Sequence, residues 1–281
     1  MTEPVTVPDI RARKRSRGDA PIVMITAYDA PFARVVDTAD VDVILVGDSL
    51  AEVVLGEEDT LHVGIDDIAH HVAAVARARP RALLVGDMPW LTYHLEATDT
   101  VRNAAVLIRA GAQAVKLEGG RRRVSALRAI IEAEIPVMGH LGLTPQSVHA
   151  MGGYKVQGRE AAAASELRQD ADALAAAGCF AIVLEGVPDV LAERITADLD
   201  IPTIGIGAGS ACDGQVIVLH DLLGLTVSDA PKFVRRYAQL GSIATEAVMA
   251  WAADVRAGRY PSEAESYHAS AELREALGPP F

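Results

Sequence analysis

The sequence is poor in several residue types, and each shortage restricts what the protein can be. It holds only two cysteines, Cys179 and Cys212, whose spacing matches neither a zinc site nor a redox pair. Cys179 lies between a glycine and an apolar run, which predicts a small core residue. Aromatic residues make up only 4% of the chain, although 50% of it is hydrophobic. The abundance of Ala and Val indicates small-residue helices packed on short buried strands.

Long apolar runs and positive charge are also scarce. The sequence has no stretch of roughly 18 apolar residues, and its basic N-terminal run is followed by proline rather than by a signal-type apolar segment. We therefore expect a soluble, cytoplasmic protein. Its 38 acidic and 26 basic residues give a net charge of −12, which argues against nucleic acid or an anionic membrane as a partner. Lysine is rare among the basic residues, which fits a GC-rich genome or a high-salt habitat. The lysines are Lys14, Lys116, Lys155 and Lys232.

Eight short apolar runs alternate along the chain with longer Ala-rich segments that carry scattered charges. Each run has four or five residues without polar alternation, which predicts strands buried on both faces, as in a parallel sheet wrapped by helices. Eight such units favour a closed (β/α)8 TIM barrel over an open sheet. The predicted strands are Ile22–Thr26, Val43–Val46, Ala82–Gly86, Ala114–Leu117, Pro136–Gly139, Ala181–Leu184, Pro202–Gly205 and Val216–Leu219.

The absence of a linker or composition break predicts one domain over residues 1–281, with an N-terminal segment 1–20 and a C-terminal tail at about 261–281. The polar, glycine-rich stretch Leu143–Arg159 predicts a mobile loop. GIGAG at 205–209 is compatible with an anion-binding loop or with a tight turn.

Polar side chains recur directly after the predicted strands, or at their ends. In a parallel barrel these positions converge on the C-terminal mouth, where barrel enzymes hold their active sites. The candidate site residues are Asp48, Ser49, Asp87, Lys116, Glu118, His140 and Glu185.

The carboxylates among them predict a metal site. Asp48, Asp87 and Glu118 would repel one another in one cleft unless a cation neutralised them, and hard oxygen ligands favour Mg²⁺. Taken alone, each acid could instead cap the helix that follows its strand. Their recurrence at equivalent strand ends, with a fourth acid at Glu185, favours the metal.

The remaining candidates allow several roles each. Lys116 lies in an apolar run and could pair with Glu118, hold a substrate carboxylate or enolate charge, or form a Schiff base. The apolar surroundings of Glu185 suit a general base. His140 could support neighbouring groups by hydrogen bonds, relay a proton or simply fill the core. Ser49 could bind an anionic ligand or cap a helix.

A series of motifs in order, from about Ile22 to Tyr260, resembles the ketopantoate hydroxymethyltransferase family. The two most specific are GHLGLTPQSV and GGYKVQGR. The others are ITAYDAPFARVVD, VGDS, GDMPW, VKLEGG and GIGAGSACDGQV. The chain departs from the family pattern at Gly86 and Trp90, and in its YPSEAESYHAS ending.

The resemblance implies an Mg²⁺-dependent enzyme of pantothenate and coenzyme A biosynthesis, with one Mg²⁺ per subunit. Such an enzyme would transfer a hydroxymethyl group from 5,10-methylenetetrahydrofolate to 3-methyl-2-oxobutanoate, giving 2-dehydropantoate, and would assemble as a homodecamer. It further implies Asp48, Asp87 and Glu118 as metal ligands and Glu185 as proton acceptor. The implied 2-oxo-acid contacts are Asp48, Ser49, Asp87 and Lys116.

Two other functions compete with this interpretation. A related barrel lyase or mutase would use a metal-bound enolate of another 2-oxo acid, but GGYKVQGR stands where such an enzyme carries a different loop. A non-catalytic binding barrel would have lost at least one of the four acids, and all four are present.

Overall fold

The computed structural model describes residues 3–226 and 231–278. Its eight strands form a closed parallel barrel in chain order, in which the eighth strand pairs with the first. The predicted TIM barrel is therefore confirmed. The strands are β1 (Ile22–Thr26), β2 (Val43–Val46), β3 (Leu83–Asp87), β4 (Ala114–Glu118), β5 (Val137–Gly142), β6 (Ala181–Glu185), β7 (Thr203–Ile206) and β8 (Gly214–Ile217).

The helices surround the barrel, and two of the longer ones end at glycines in the left-handed conformation. Gly111 and Gly178 have φ of 118° and 106°, which turns the chain toward the next strand. The helices are α1 (Val7–Ala12), α2 (Ala30–Thr38), α3 (Ile65–Ala76), α4 (Ala97–Ala110), α5 (Val124–Glu132), α6 (Val148–Met151), α7 (Ala161–Ala177), α8 (Asp189–Asp198), α9 (Leu219–Leu223), α10 (Leu240–Arg256) and α11 (Ala271–Leu277).

The predicted strand–helix alternation fails between β7 and β8. Residues 207–213, all described, join these two parallel strands without a helix. The last strand also lies two residues earlier than predicted, because Leu219 already belongs to α9. Its first residue must be glycine, since a Cβ at Gly214 would lie 2.5 Å from the carbonyl oxygen of Ile22 on β1.

Two layers of apolar side chains hold the barrel together. The outer layer packs the helices on the strands and includes Cys179, which confirms its predicted core position. The inner layer fills the barrel and includes Ile22, Met24 and Met138. Val5 and Ile10 belong to this inner cluster, so α1 closes the N-terminal end of the barrel.

The N-terminal basic run also contributes a buried ion pair. The ammonium of Lys14 lies 2.7 Å from Asp213 Oδ2 and donates to the carbonyl oxygens of Thr196 (2.8 Å) and Ile201 (3.3 Å). Asp213 in turn accepts from the backbone N–H of Thr203 at 2.9 Å. This network joins the N-terminal segment to the β7–β8 connection.

Replacing Lys14 by Ala should lower the free energy of unfolding by roughly 3 to 5 kcal/mol, because it leaves the carboxylate of Asp213 buried without its cation. Chemical denaturation followed by circular dichroism measures this change. Arg102→Ala is the control, since Arg102 lies 3.7 Å from Asp99 at the surface and should cost less than about 1 kcal/mol. Equal losses in the two variants would contradict the assignment.

The C-terminal elements are less tightly packed than the barrel. Neither α10 nor α11 has a buried residue. None of the helices in the described ranges is both long and apolar enough to cross a membrane. Cytoplasmic location stays a prediction.

Candidate active site

The C-terminal end of the barrel opens into a cavity of about 870 Å³, here called the mouth cavity. The strand ends position its polar floor: Asp87 ends β3, Glu118 ends β4 and Glu185 ends β6. Parallel strands bring these ends together although the residues are far apart in sequence. Every predicted site residue lines this cavity, namely Asp48, Ser49, Asp87, Lys116, Glu118, His140 and Glu185.

Asp87 and Lys116 form a buried ion pair at the floor. Lys116 Nζ lies 2.8 Å from Asp87 Oδ2, which also accepts from the backbone N–H of Asp48 at 3.1 Å. Burial raises the pKa of Asp87 to about 7; Lys116 opposes this rise, while Asp48 and Glu118 add to it. Burial alone would lower the pKa of Lys116, but the carboxylates of Asp87, Asp48 and Glu118 raise it above its ordinary value. The ammonium of Lys116 is therefore stabilised at the floor of the mouth cavity, where a substrate anion can reach it.

His140 bridges two of the acids, which distinguishes it from a residue that only fills the core. Its Nδ1 lies 3.1 Å from Glu118 Oε1 and its Nε2 lies 3.2 Å from Glu185 Oε2. Burial and Lys116 lower the pKa of His140, but the two carboxylates outweigh them and raise it to about 9. His140 Nε2 therefore lies beside the carboxylate of Glu185 at the edge of the floor, where 16% of the glutamate side chain stays exposed.

Gln146 is a site residue that the sequence interpretation missed. It lies in the 3-10 turn Pro145–Ser147, and its Nε2 donates to Asp48 Oδ2 (2.9 Å) and to the carbonyl oxygen of Met88 (3.0 Å). Its backbone N–H donates to Glu118 Oε2 at 3.1 Å, and its Oε1 accepts from the hydroxyl of Tyr93 at 2.6 Å. Through its side chain and its backbone N–H, this one residue after β5 thus contacts groups at the ends of β2, β3 and β4.

This packing contradicts the prediction of a mobile loop over Leu143–Arg159 for the first part of that segment, while mobility of the rest stays a prediction. Leu143, Thr144 and Gln146 are buried, and the exposed part begins only at His149. The motif GHLGLTPQSV carries the relevant signal, because a glutamine next to a strand end in a barrel mouth has carboxylates within reach.

Replacing Gln146 by Leu should lower kcat/KM by about 10- to 100-fold, because Asp48 loses the side-chain donor that orients it, whereas the backbone N–H that Glu118 accepts from is kept. The measurement is steady-state formation of the hydroxymethylated 2-oxo acid, with circular dichroism to establish folding. Gln169→Leu on the surface of α7 is the matched control. A folded Gln146→Leu enzyme with wild-type kcat/KM would rule out the positioning role.

The donor set of the floor fits a hard divalent cation. Asp48, Asp87 and Glu118 offer only oxygen ligands, and Asp87 Oδ1 is buried without a hydrogen-bond partner among the described residues. Within residues 3–226 and 231–278, no group of three or more His, Cys, Asp or Glu side chains is already arranged as a complete metal site. Such a grouping is not required for Mg²⁺, which often binds one or two carboxylates and completes its shell with water and substrate.

The other residues singled out from the sequence have local roles. Ser49 Oγ lies 2.8 Å from the hydroxyl of Tyr28. Ser49 also lines the cavity, where its hydroxyl can form a second hydrogen bond to a ligand. In GIGAG, Gly207 and Gly209 have φ of 61° and 81°, which shows a tight turn. A Cβ at Gly207 would lie 2.7 Å from the ring of Phe233, so this turn supports an aromatic side chain at the cavity wall.

The sequence profile of the ketopantoate hydroxymethyltransferase family matches residues 4–263. The chain belongs to this family. A relative from Methylobacterium sp. (strain 4-46), named 3-methyl-2-oxobutanoate hydroxymethyltransferase, is 59% identical over 91% of this chain and 89% of its own length. A relative of the same name from Pelobacter propionicus is 52% identical over 95% of this chain and 99% of its own.

Solved structures that resemble the ketopantoate hydroxymethyltransferase fold include proteins of other activities. Phosphonopyruvate hydrolase, in a complex with oxalate and Mg²⁺, has a TM-score of 0.60 and 14% identity, covering 97% of this chain and 95% of its own. A 2,3-dimethylmalate lyase of the PEP mutase/isocitrate lyase superfamily has a TM-score of 0.55 and 17% identity, covering 96% and 93%. At these identities the likeness shows the fold alone.

Proposed function

We propose that the protein transfers a hydroxymethyl group from 5,10-methylenetetrahydrofolate to 3-methyl-2-oxobutanoate, giving 2-dehydropantoate for pantothenate and coenzyme A biosynthesis. The observation that carries the proposal is the placement of a carboxylate suited to act as a base, Glu185, in the same cavity as the buried pair of Lys116 and Asp87. Deprotonating carbon next to a ketone requires this combination of a base and a cation that holds the resulting negative charge.

The floor residues divide the chemistry between them. Asp48, Asp87 and Glu118 would hold Mg²⁺, which when bound polarises the keto group and so acidifies the C3 proton. Lys116 and Ser49 bind the carboxylate and keto oxygens of the substrate, and Lys116 stabilises the enolate charge. Glu185 accepts the C3 proton, and His140 keeps that carboxylate oriented.

The transfer step then balances without an oxidant or reductant. C3 of the enolate forms a bond to the methylene carbon of the folate, and the two C–N bonds of the methylene bridge break. Water supplies the hydroxyl oxygen of the product, and the folate nitrogens regain protons. The buried floor keeps bulk water away from the enolate until the folate arrives.

The proposal is tested by incubating the purified protein with 3-methyl-2-oxobutanoate and 5,10-methylenetetrahydrofolate and detecting 2-dehydropantoate by mass spectrometry. We expect product with Mg²⁺ and its loss on chelation. The alternative of a lyase or mutase on another 2-oxo acid predicts no folate-dependent product. The relatives at 52–59% identity favour the transferase over that alternative.

Helix α10 supports the further proposal that the protein assembles from several copies. It exposes Ile243, Val248, Met249 and Trp251 by 57%, 61%, 66% and 53%. The chain has an accessible surface of 15368 Å². A compact monomer of this mass would expose about 11,600 Å². The chain alone is therefore less compact than a typical monomer, and a group of exposed apolar side chains on one helix usually marks a contact with another subunit.

We expect a homodecamer that is more stable at high ionic strength, because salt screens the repulsion between chains that each carry −12. Light scattering coupled to gel filtration across a salt series measures this. Met249→Asp, which places a charge on the exposed face of α10, should shift the protein toward smaller species, whereas Glu246→Gln should not. A monomer at every salt concentration would refute the assembly; a decamer indifferent to salt would refute its electrostatic part.

A further inference from the structure

The mouth cavity is much larger than its proposed 2-oxo-acid substrate. A five-carbon oxo acid fills only a small part of about 870 Å³, a volume that suits a drug-sized ligand. The buried acids, Lys116 and His140 occupy the floor. The remaining space lies farther out, where the lining side chains are exposed.

This outer part has a different chemical character from the floor. Its outer wall is formed by Tyr154, Lys155, Val156, Lys232 and Phe233. Tyr154, Val156 and Phe233 are exposed by 51%, 51% and 39%, although all three are apolar or aromatic. Gly207 lies against the ring of Phe233, which fixes one aromatic surface at the cavity edge. Exposed aromatic rings beside a cavity suit a flat ring system.

The outer wall carries two of the few lysines in the chain, Lys155 and Lys232. Of its 26 basic residues only four are lysine. Lys14 and Lys116 form the two buried ion pairs described above, and the other two, Lys155 and Lys232, both line the mouth cavity. Within residues 3–226 and 231–278, neither Lys155 nor Lys232 has an ion-pair partner. Two unpaired cations beside apolar rings match a ligand that is aromatic at one end and anionic at the other.

We propose that the outer wall is the binding site for the reduced folate. Its pteridine ring lies between the aromatic side chains of Tyr154 and Phe233, with the methylene group directed toward Glu185 and the floor. The carboxylates of its glutamate tail bind Lys155 and Lys232. The other charged side chains beyond the floor that line the cavity are the acids Glu52, Asp189 and Asp221, so the two lysines are the groups there that can pair with an anionic tail. This assignment rests on the proposed function, which names the folate as the one-carbon donor.

The test combines a protein change with a ligand change. Tetrahydrofolate and 6-methyltetrahydropterin, which has the pteridine ring without the glutamate tail, are titrated into the wild type and the Lys155→Gln/Lys232→Gln variant by calorimetry. The variant should bind tetrahydrofolate about tenfold more weakly or worse, since two charge-assisted contacts are lost. Its affinity for the tail-less pterin should match that of the wild type. Arg102→Gln, on the exposed face of α4, controls for the loss of positive charge.

Each outcome has a separate meaning. An unchanged affinity for tetrahydrofolate, or an equal loss for both ligands, would overturn the assignment of the tail to these lysines. Failure of Phe233→Ala to weaken the tail-less pterin would overturn the assignment of the ring. A wild type that binds neither ligand and forms no 2-dehydropantoate would instead contradict the proposed function. Steady-state kinetics provide a second readout, in which KM for the folate rises in the lysine variant while KM for the oxo acid does not.

Discussion

Replacing Asp87 by Asn should lower kcat/KM by roughly a thousandfold or more, while the barrel stays folded. Asp87 is the partner of the Lys116 ammonium at 2.8 Å, and its Oδ1 is a buried oxygen without a hydrogen-bond partner among the described residues. The change therefore removes an oxygen ligand suited to Mg²⁺. It also removes the carboxylate that pairs with the ammonium of Lys116, the group proposed to bind the substrate anion. Steady-state assays of 2-dehydropantoate formation measure the loss, and circular dichroism establishes folding.

The matched control for this variant is Asp170→Asn, because Asp170 forms an exposed ion pair with Arg121 at 2.7 Å. It should retain close to full activity. Full activity in the Asp87→Asn enzyme would contradict the proposed metal site, and so would a wild-type enzyme whose activity survives complete chelation.

Replacing Glu185 by Gln should slow exchange of the C3 hydrogen of 3-methyl-2-oxobutanoate by roughly two to four orders of magnitude. The amide keeps the shape of the side chain but cannot accept the proton. Binding of the oxo acid should survive, since Asp87 and Lys116 lie on other strands and keep their contact. Proton NMR in D2O follows the exchange, and calorimetry follows the binding.

Glu193→Gln, on the exposed surface of α8, is the control for this experiment. Exchange at the wild-type rate in the Glu185→Gln enzyme would show that another group is the base. His140, which lies 3.2 Å from Glu185 Oε2, or a water molecule would then have to take that role.

The sequence predicts the barrel and the floor of its site because both depend on local, repeated signals. Each strand is a short apolar run, and a polar residue at its end must lie in the mouth once the strands are parallel. Asp48, Asp87, Lys116 and Glu118 follow from that rule alone. Their convergence in one cavity confirms the geometric part of the prediction, while their roles stay proposals.

The features that escaped prediction depend on contacts between distant residues. Lys14 is buried only because Asp213, 199 residues later, lies beside it, and a basic run in sequence gives no sign of this. Gln146 gains its role from Asp48, 98 residues earlier. The missing helix between β7 and β8 differs from these two cases, because a local signal was present. GIGAGSACDGQV contains several glycines and shows no helical periodicity.

Exchange of the C3 hydrogen by the wild-type enzyme tests the central claim most directly, because it isolates enolate formation from the folate. The protein is incubated with 3-methyl-2-oxobutanoate in D2O without folate, once with Mg²⁺ and once with a chelator, and the C3 signal is followed by proton NMR. We predict exchange well above the uncatalysed rate with Mg²⁺ and its loss with the chelator. Exchange that is absent with Mg²⁺, or equally fast with the chelator, would contradict the proposed metal-assisted enolisation at this site.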